Sequence, residues 1–208
     1  MKISLRKRFF AWMLKNGDAY SHQLYGSYKR ELLNNIDGRI VEIGPGTGVN
    51  FQYLPTGVAW IGIEPNEAFF KGLKEQAKEK KINNAELLKG DASQIPVDDN
   101  SVDVVLSTLV LCSVNDPHKV IGEIRRVLKP GGKLIFLEHV AAPKHTNLRR
   151  MQNICNPLNR LAADGCNCNR ETWNYLQDGG FSELKISSVR MKGVLRLHSP
   201  HIMGYAIK

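Results

Sequence analysis

Three glycines in one loop, with acidic residues farther along the chain, are the first features of the sequence that could do chemistry. Gly44, Gly46 and Gly48 directly follow residues 39–43, whose apolar and β-branched side chains are typical of a short buried strand. Because glycine has no Cβ, the backbone can turn sharply there and come close to a ligand. The stretch EIGPGTG therefore predicts a loop that cradles a ligand at the end of a strand.

The spacing of the loop separates three kinds of ligand cradle. A P-loop needs a lysine directly after its last glycine, and no lysine follows Gly48. A dinucleotide loop has the spacing G-x-G-x-x-G, and Val49 occupies the position of its third glycine. The remaining pattern is E-x-G-x-G-x-G, from Glu42 to Gly48, which resembles the first motif of class I S-adenosylmethionine-dependent methyltransferases.

Two carboxylates fall where a bound nucleoside would need them. Glu64 ends the second predicted strand, about twenty residues beyond the loop, where an acidic side chain can accept hydrogen bonds from both ribose hydroxyls. Asp91, in GDA after the third strand, is placed to accept from an adenine amino group, which matches another class I methyltransferase motif. The alternatives are a solvated turn residue for Glu64 and a turn-forming residue after Gly90 for Asp91.

The rest of the chain alternates strand and helix signals, which predicts a doubly wound α/β sheet. We expect a helix directly after the glycine loop, and another that begins at Asn115 or Asp116 with Pro117 in its first turn and ends at Pro130. The segments NEAFFKGLKEQAKEKK and RETWNYLQDGGF predict further helices, and SELKISSVRM and HIMGYAIK predict a terminal pair of strands. Residues 141–170 receive no assignment.

Composition places the chain among ordinary globular proteins. Its 208 residues are 42% hydrophobic and 24% charged, and they are most simply one domain. The four cysteines do not form a disulfide framework, since three crowd between residues 155 and 168, so a reducing cytoplasm is expected. No apolar run reaches the about 18 residues that a membrane-spanning helix needs.

The N-terminal segment carries most of the positive charge. Residues 1–30 contain seven Lys and Arg residues and one Asp, within a formal net charge of +9 for the whole chain. Apolar residues recur there at helical spacing, namely Leu5, Phe9, Trp12 and Met13. The segment is predicted to be an amphipathic helix that either contacts anionic membrane lipid or packs on the domain. Nucleic acid is not an expected partner, because the remaining residues are nearly balanced in charge.

In order, VEIGPGTG, IEPN, GDA, SVDVVLSTLVLCSV and RRVLKPGG resemble the motifs of class I methyltransferases over residues 38–140. TLVLCSV, EHVAAP, DGCNCNRETW and PHIMGYAIK more closely resemble the thiol S-methyltransferases of the methyltransferase-like seven family. The resemblance implies a Rossmann-like, seven-stranded doubly wound sheet in residues 38–208, preceded by a helical segment in residues 1–37. It also implies an enzyme that uses S-adenosylmethionine, releases S-adenosylhomocysteine and methylates a small or lipophilic thiol or hydrogen sulfide. The chain is expected to be a monomer.

Animal members of that family carry a long hydrophobic N-terminal anchor, whereas this chain begins with a short basic amphipathic stretch. The expected location is therefore the cytoplasm, with at most peripheral contact with a membrane surface. The acceptor also stays open. A methyltransferase acting on a lipid, a quinone or a phospholipid head group is one alternative, and a catalytically idle lipid- or cofactor-binding protein is another.

The motifs transfer to individual residues. The expected cofactor-binding residues are Tyr20, Glu42, Gly44, Pro45, Gly46, Gly48, Glu64, Pro65, Asp91, Ala92 and Leu109. Tyr20 could instead be an aromatic anchor for the N-terminal helix. The expected substrate pocket contains Cys112, His139 and Cys166.

His139 is the first candidate for catalysis, because it ends the fifth predicted strand and could deprotonate a thiol or stabilise its thiolate. Its alternative is a structural histidine bonded to a neighbouring carbonyl. Asp164 is the second candidate, with a turn-capping role as its alternative. No metal is expected, since Cys166 and Cys168, with Cys155 and His139 before them, do not follow a usual zinc spacing.

Overall fold

The computed structural model describes residues 3–82 and 84–208, so Lys2, which contributes to the basic N-terminal segment, lies outside the described residues. The strands are β1 Arg39–Ile43, β2 Ala59–Glu64, β3 Glu86–Lys89, β4 Val102–Thr108, β5 Leu128–His139, β6 Glu183–Arg190 and β7 Pro200–Ile207. The α-helices are α1 Leu5–Leu33, α2 Phe70–Glu79, α3 Pro117–Val127, α4 Asn147–Ala162 and α5 Thr172–Gln177. Three short 3₁₀ helices are Phe51–Tyr53, Glu67–Phe69 and Arg196–His198.

The seven strands form one sheet in the order β3-β2-β1-β4-β5-β7-β6. The strands β1 to β5 pair in parallel, whereas β7 runs antiparallel to both β5 and β6. This confirms the predicted doubly wound α/β sheet and the terminal strand pair. The carboxyl ends of β1, β2, β4 and β5 lie along one edge of the sheet, which is where open α/β sheets bind their ligands.

Apolar side chains cover both faces of the central strands, as expected for parallel strands buried between helices. On one face, Val41, Ile43 and Phe136 are fully buried in a cluster that includes residues of α3 and α5. On the other face, Ile40 and Trp60 pack in a cluster that includes residues of α2 and the C-terminal end of α1. The sheet is therefore a rigid frame for the loops at its carboxyl edge.

The prediction of a helix directly after the glycine loop is wrong, because the structure has only the short 3₁₀ helix Phe51–Tyr53 there. The positive φ angles of Gly46 and Gly48 keep the preceding backbone out of helical geometry. Leu54 is extended, as is favoured directly before Pro55, and it ends the turn.

The helix expected to end at Pro130 is shorter than predicted. Asp116 caps α3 by accepting a hydrogen bond from the Lys119 backbone N–H at 3.0 Å, and Pro117 is its first residue, as the sequence indicates. However, Leu128 is already extended and pairs with Val102, so β5 begins two residues before the proline.

A helix of 16 residues, α4, occupies most of the segment that received no assignment. Thr146 caps it by accepting from the Arg149 backbone N–H at 3.1 Å, and Pro157 lies inside it. Its buried residues are Leu148 and Gln152, whereas Ile154 and Leu158 are exposed. Half of this helix therefore presents apolar side chains to solvent.

The N-terminal helix α1 has two halves that differ in burial. Its buried residues are Tyr25, Gly26, Lys29 and Leu33, all toward its C-terminal end. The first half leaves large apolar side chains exposed, with Leu5 81% and Trp12 63% accessible. Within residues 3–82 and 84–208, no helix combines the length and the apolar character that a membrane crossing requires.

Candidate active site

The glycine loop has the sharply turned backbone that its sequence predicts. Gly44, Gly46 and Gly48 all have positive φ angles, between 56° and 86°. A Cβ on Gly44 would lie 2.7 Å from the Val110 side chain, and one on Gly48 would lie 2.8 Å from Phe51, so packing also excludes side chains at both positions. A Cβ on Gly46 would meet nothing closer than a backbone oxygen at 4.0 Å. The loop is thus packed from beneath and open above Gly46.

Glu42 lies beneath this loop with both carboxylate oxygens occupied. One oxygen accepts from Asn50 Nδ2 at 2.7 Å and the other from Trp60 Nε1 at 2.8 Å. Asn50 also donates to Thr108 Oγ1 at 2.9 Å, which ties the end of the loop to the end of β4. Complete burial raises the pKa of Glu42, although its hydrogen bonds and Lys29 oppose that shift. In this structure Glu42 therefore fixes the loop from below.

Glu64 sits at the carboxyl end of β2 and faces the loop. Its two oxygens accept hydrogen bonds from the backbone N–H groups of Gly46 at 3.1 Å and Asn66 at 2.8 Å. The side chain is buried, and burial raises its pKa to about 7 despite these bonds. Pro65 follows directly, and its carbonyl accepts from Lys7 Nζ at 3.3 Å.

Asp91 and Ala92 follow β3 at the same edge of the sheet. Asp91 is exposed, and its Oδ1 accepts from the Ser93 backbone N–H at 2.8 Å, which is the turn contact that the alternative interpretation predicts. That bond occupies one of its two carboxylate oxygens. Ala92 is buried in the hydrophobic core.

The first half of α1 lies against the loops that follow β1 and β2. Asp18 accepts from Thr47 Oγ1, inside the glycine loop, at 2.7 Å. Asn66, beside Glu64, donates through Nδ2 to the Lys7 carbonyl at 3.1 Å. Tyr20, expected at the cofactor, instead donates its hydroxyl to the Gly193 carbonyl, which ties α1 to the loop between β6 and β7. This contact is the one that the alternative interpretation of Tyr20, an aromatic anchor for the N-terminal helix, predicts.

Leu109 marks the end of β4 with an unusual backbone. Its φ is +61°, a left-handed conformation that is rare for a bulky residue and tends to occur at functional sites. Its N–H donates to the Leu137 carbonyl of β5 at 2.9 Å. Beside it, the buried Glu138 accepts from Ser107 Oγ at 2.7 Å, and burial raises its pKa.

The three residues expected in the substrate pocket come together. Cys112, His139 and Cys166 are buried, and their donor atoms all lie within 4.8 Å of one another. His139 Nε2 and Cys166 Sγ are 2.8 Å apart. The hydrogen bond with Cys112, together with burial, raises the pKa of the Cys166 thiol to about 11, so the thiol is neutral at physiological pH.

Two histidines that the sequence reasoning missed surround this cluster. The rings of His198 and His201 lie 5.1 and 6.1 Å from the His139 ring. Burial lowers the pKa of His201 to about 4, and its Nε2 lies 3.3 Å from the Tyr25 hydroxyl. The sequence signal for His201 was the motif PHIMGYA, which resembles the thiol S-methyltransferase family. The motif did not indicate a role for this histidine.

Asp164, the second catalytic candidate, lies apart from this trio of donor atoms. Its Oδ1 accepts from Arg6 of α1 at 2.7 Å, and its φ is +44°. Its charge also contributes to the raised pKa of Glu64, so it lies on the cofactor side of the crevice. The structure therefore gives Asp164 a contact that holds α1 in place.

The residues at the loop fit the nucleoside of S-adenosylmethionine. The space above Gly46 is open, since a Cβ there would meet no side chain. Glu64 offers carboxylate oxygens beside that space for ribose hydroxyls, and Asp91 lies at the end of β3 with one oxygen outside its turn contact. When bound, the cofactor would supply an electrophilic methyl group at this edge of the sheet.

Comparisons with known proteins agree with this arrangement. A family model described as a methyltransferase domain matches residues 41–136. A methyltransferase solved together with the Trm112 activator of Haloferax volcanii has the same fold, with a TM-score of 0.72 at 16% identity, over 100% of this chain and 98% of that one. The protein is a class I S-adenosylmethionine-dependent methyltransferase.

The full-length relatives narrow the class. The chain is 37% identical to the thiol S-methyltransferase TMT1A of Homo sapiens, over 97% of this chain and 87% of that protein. It is 36% identical to the human thiol S-methyltransferase TMT1B, over 98% of this chain and 88% of that protein. The chain belongs to the thiol S-methyltransferase family, which confirms the resemblance that its motifs carry.

Proposed function

We propose that this enzyme transfers the methyl group of S-adenosylmethionine to the sulfur of a small or lipophilic thiol, or of hydrogen sulfide. The observation that carries the proposal is the 37% identity with a thiol S-methyltransferase over nearly the whole chain. The match covers 97% of this chain, so it extends past the cofactor motifs to the segments that contain Cys112, Cys166 and the C-terminal strands.

Methyl transfer from a sulfonium is an in-line displacement, so catalysis comes mostly from holding the two reacting centres collinear in a dry site. An alkyl thiol has a pKa of about 8.5 and is only a few per cent ionised at neutral pH. The buried side chains at the ends of β4 and β5, among them Cys112 and His139, suit the first requirement, because they are shielded from water. Ionisation of the acceptor thiol is the second requirement, and it needs a group that removes or replaces the thiol proton.

We assign that task to His139. It ends β5, its imidazole is buried, and its Nδ1 has no hydrogen-bond partner among residues 3–82 and 84–208. A buried nitrogen without a partner is costly, by about 1 to 3 kcal/mol, so it is a place where an acceptor could bind. Leu109, Val110 and Cys112 belong to the turn that follows β4, and the Val110 side chain lies 2.7 Å from the position of a Gly44 Cβ, so this turn reaches the glycine loop.

The test is release of S-adenosylhomocysteine from purified protein and S-adenosylmethionine across a panel of acceptors. The panel contains hydrogen sulfide, alkyl and aryl thiols, a quinol and phosphatidylethanolamine. Turnover confined to sulfur acceptors is the expected result. Turnover only on the quinol or the lipid would leave the fold and the cofactor in place and overturn the thiol proposal.

We also propose that the protein acts as a monomer in a reducing compartment and touches membrane lipid peripherally. Exposed apolar residues form a stripe on the first half of α1, at Leu5, Phe9, Trp12 and Met13. A second stripe runs along α4, at Ile154, Leu158 and Leu161. The ion pair between Arg6 and Asp164, at 2.7 Å, joins the start of α1 to the chain just after α4, so the beginning of the first stripe lies near the end of the second.

The charge near these stripes suits an anionic surface. Arg6, Arg8 and Lys15 are exposed beside the apolar residues of α1. Apolar side chains and basic groups together are what an interfacial helix needs to bind anionic lipid. Contact there would also bring a lipophilic thiol to the edge of the sheet where the site lies.

Flotation with vesicles of phosphatidylcholine and phosphatidylserine tests this contact. The double variant Phe9→Ser and Trp12→Ser should float less than the unsubstituted protein, because both side chains are more than half exposed. Gln23→Ser, an exposed polar position on the same helix, is the control. Equal flotation of all three proteins would rule out α1 as the contact.

A further inference from the structure

Three donor atoms from distant parts of the chain meet in the buried interior. Cys112 follows β4, His139 ends β5, and Cys166 follows α4. Their sulfur and nitrogen atoms all lie within 4.8 Å of one another, and each side chain is more than nine-tenths buried. The other two cysteines are not part of this group, since Cys168 contacts the Gln152 carbonyl and Cys155 is only half-buried on α4.

This set of donors suits zinc. Two sulfurs and one imidazole nitrogen form a Cys₂His site, a set known in catalytic zinc centres that keep a fourth position open. Tetrahedral bonds of about 2.3 Å to sulfur and 2.0 Å to nitrogen place the ligand atoms about 3.5 to 3.8 Å apart. The observed 2.8 Å between His139 Nε2 and Cys166 Sγ would have to widen by less than about 1 Å.

The trio lies next to the half of the site that would hold the cofactor. Cys112 follows Leu109 in a tight turn, and its thiol donates to the Leu109 carbonyl at 3.6 Å. Val110, within the same turn, packs against the site of a Gly44 Cβ. The trio is therefore joined by one short turn to the loop that would hold S-adenosylmethionine.

We propose that Cys112, His139 and Cys166 bind Zn²⁺ and leave its fourth position for the sulfur of the acceptor. The role in catalysis rests on the proposed thiol methylation, whereas the metal site itself does not. It replaces the expectation that no metal binds, which rests on the sequence spacing of His139, Cys155, Cys166 and Cys168. His139 would then act as a ligand rather than as a base.

The protons and electrons of the step balance without an oxidant. Cys112 and Cys166 each lose a proton to solvent when they bind the metal, and the acceptor thiol loses one when it takes the fourth position. The acceptor sulfur then forms its bond to the methyl carbon as the sulfonium bond to that carbon breaks. The bonding electron pair stays with the sulfur of S-adenosylhomocysteine. The neutral thioether is a weak ligand and leaves.

The test uses the full chain, purified after expression with added zinc and extensive gel filtration. We expect mass spectrometry to find one zinc ion per chain. In Cys112→Ser and in Cys166→Ser, the amount of bound zinc should fall by more than about tenfold. Cys155→Ser is the matched control and should retain its zinc. Full zinc retention in the first two variants, or no zinc in the unsubstituted protein, would overturn the proposal.

A second measurement does not depend on whether the variants fold. X-ray absorption at the zinc edge of the unsubstituted protein should show two sulfur neighbours at about 2.3 Å and nitrogen at about 2.0 Å. Addition of a thiol acceptor should raise the sulfur count. A shell of nitrogen and oxygen alone would overturn the site, because it would place the zinc on surface groups.

Failure of the metal site and failure of the thiol proposal give different results. Full thiol methylation by protein stripped of zinc with a chelator would overturn the catalytic role of zinc and leave the thiol proposal intact. Zinc bound by the trio, with turnover only on quinol or lipid, would retain the site but overturn its role in holding an acceptor sulfur.

Discussion

Acidification should weaken cofactor binding through Glu64. This carboxyl group is buried at the end of β2, and burial raises its pKa from 4.5 to about 7 in the protein without ligand. A ribose diol donates its two hydroxyl protons to a carboxylate, and a protonated carboxyl group can accept only one of them well. Binding should therefore require the ionised form, which becomes scarce as pH falls below 7.

The size of the effect follows from that pKa. At pH 8 about ten in eleven molecules carry the carboxylate, whereas at pH 6 only about one in eleven does. The dissociation constant of S-adenosylmethionine should therefore rise about tenfold between pH 8 and pH 6, which corresponds to about 1.4 kcal/mol. By linkage, binding at pH 6 should release about one proton.

Calorimetry at both pH values, in two buffers with different ionisation enthalpies, measures the affinity and the proton count together. Glu64→Gln is the control, because its amide does not titrate and its binding should be weak and independent of pH. Equal affinity at pH 6 and pH 8, without proton release, would refute the assignment of Glu64 to the ribose.

The same group has an opposite effect on the free protein. Between its unfolded pKa of about 4.5 and its folded pKa of about 7, the folded state keeps a proton that the unfolded chain has lost. The contribution of Glu64 to stability therefore falls by about 3 kcal/mol as pH rises through that window. Chemical denaturation of the unsubstituted protein and of Glu64→Gln, between pH 5 and pH 8, would reveal this difference in slope.

Three further predictions concern the pocket, α1 and the core. His139→Ala should lower turnover by about 10²-fold or more while calorimetry finds unchanged S-adenosylmethionine binding, and unchanged turnover would remove His139 from the chemistry. Asp18→Ala removes the 2.7 Å hydrogen bond from Thr47, so cofactor affinity should fall about fivefold and amide hydrogen exchange in the first half of α1 should become faster. Unaltered exchange would contradict the inference that this bond holds α1 against the glycine loop. Leu33→Ala should reduce the free energy of unfolding by about 2 to 5 kcal/mol in urea titrations, because its side chain is 1% exposed, whereas the half-buried Leu32→Ala should cost clearly less.

The half of the fold that holds the cofactor was predictable because its signals are local. Each of β1, β2 and β3 is a short strand directly followed by its own turn residues, so reading along the chain finds both together. The helix after the glycine loop was the exception. The helix is absent because the glycines before it adopt left-handed conformations and because Pro55 favours an extended conformation for the residue before it.

The partners of Glu42 show a different limit of sequence reasoning. The motif places an acid two residues before the loop, and the sequence therefore suggested a ligand contact. In the structure, Trp60 and Asn50 donate hydrogen bonds to the two carboxylate oxygens of Glu42. Burial lowers the pKa of Lys29, on α1, to about 8, and Glu42 lies near enough to oppose that shift. Neither Trp60 nor Lys29 is adjacent to Glu42 in sequence, so the network could not be found from spacing.

The acceptor half of the site consists of parts that only the fold brings together. His139 and Cys166 are 27 residues apart, and α4, which lies between them, was not predicted. Parallel strands bring their carboxyl ends to one edge, so residues after β4 and β5 meet there whatever their separation along the chain. A search for metal or catalytic spacing tests only local motifs and cannot detect such a meeting. We therefore expect the choice of acceptor to depend on α1, α4 and the loop between β6 and β7. Substitutions in those segments should change acceptor preference, whereas cofactor affinity should depend on the glycine loop and Glu64.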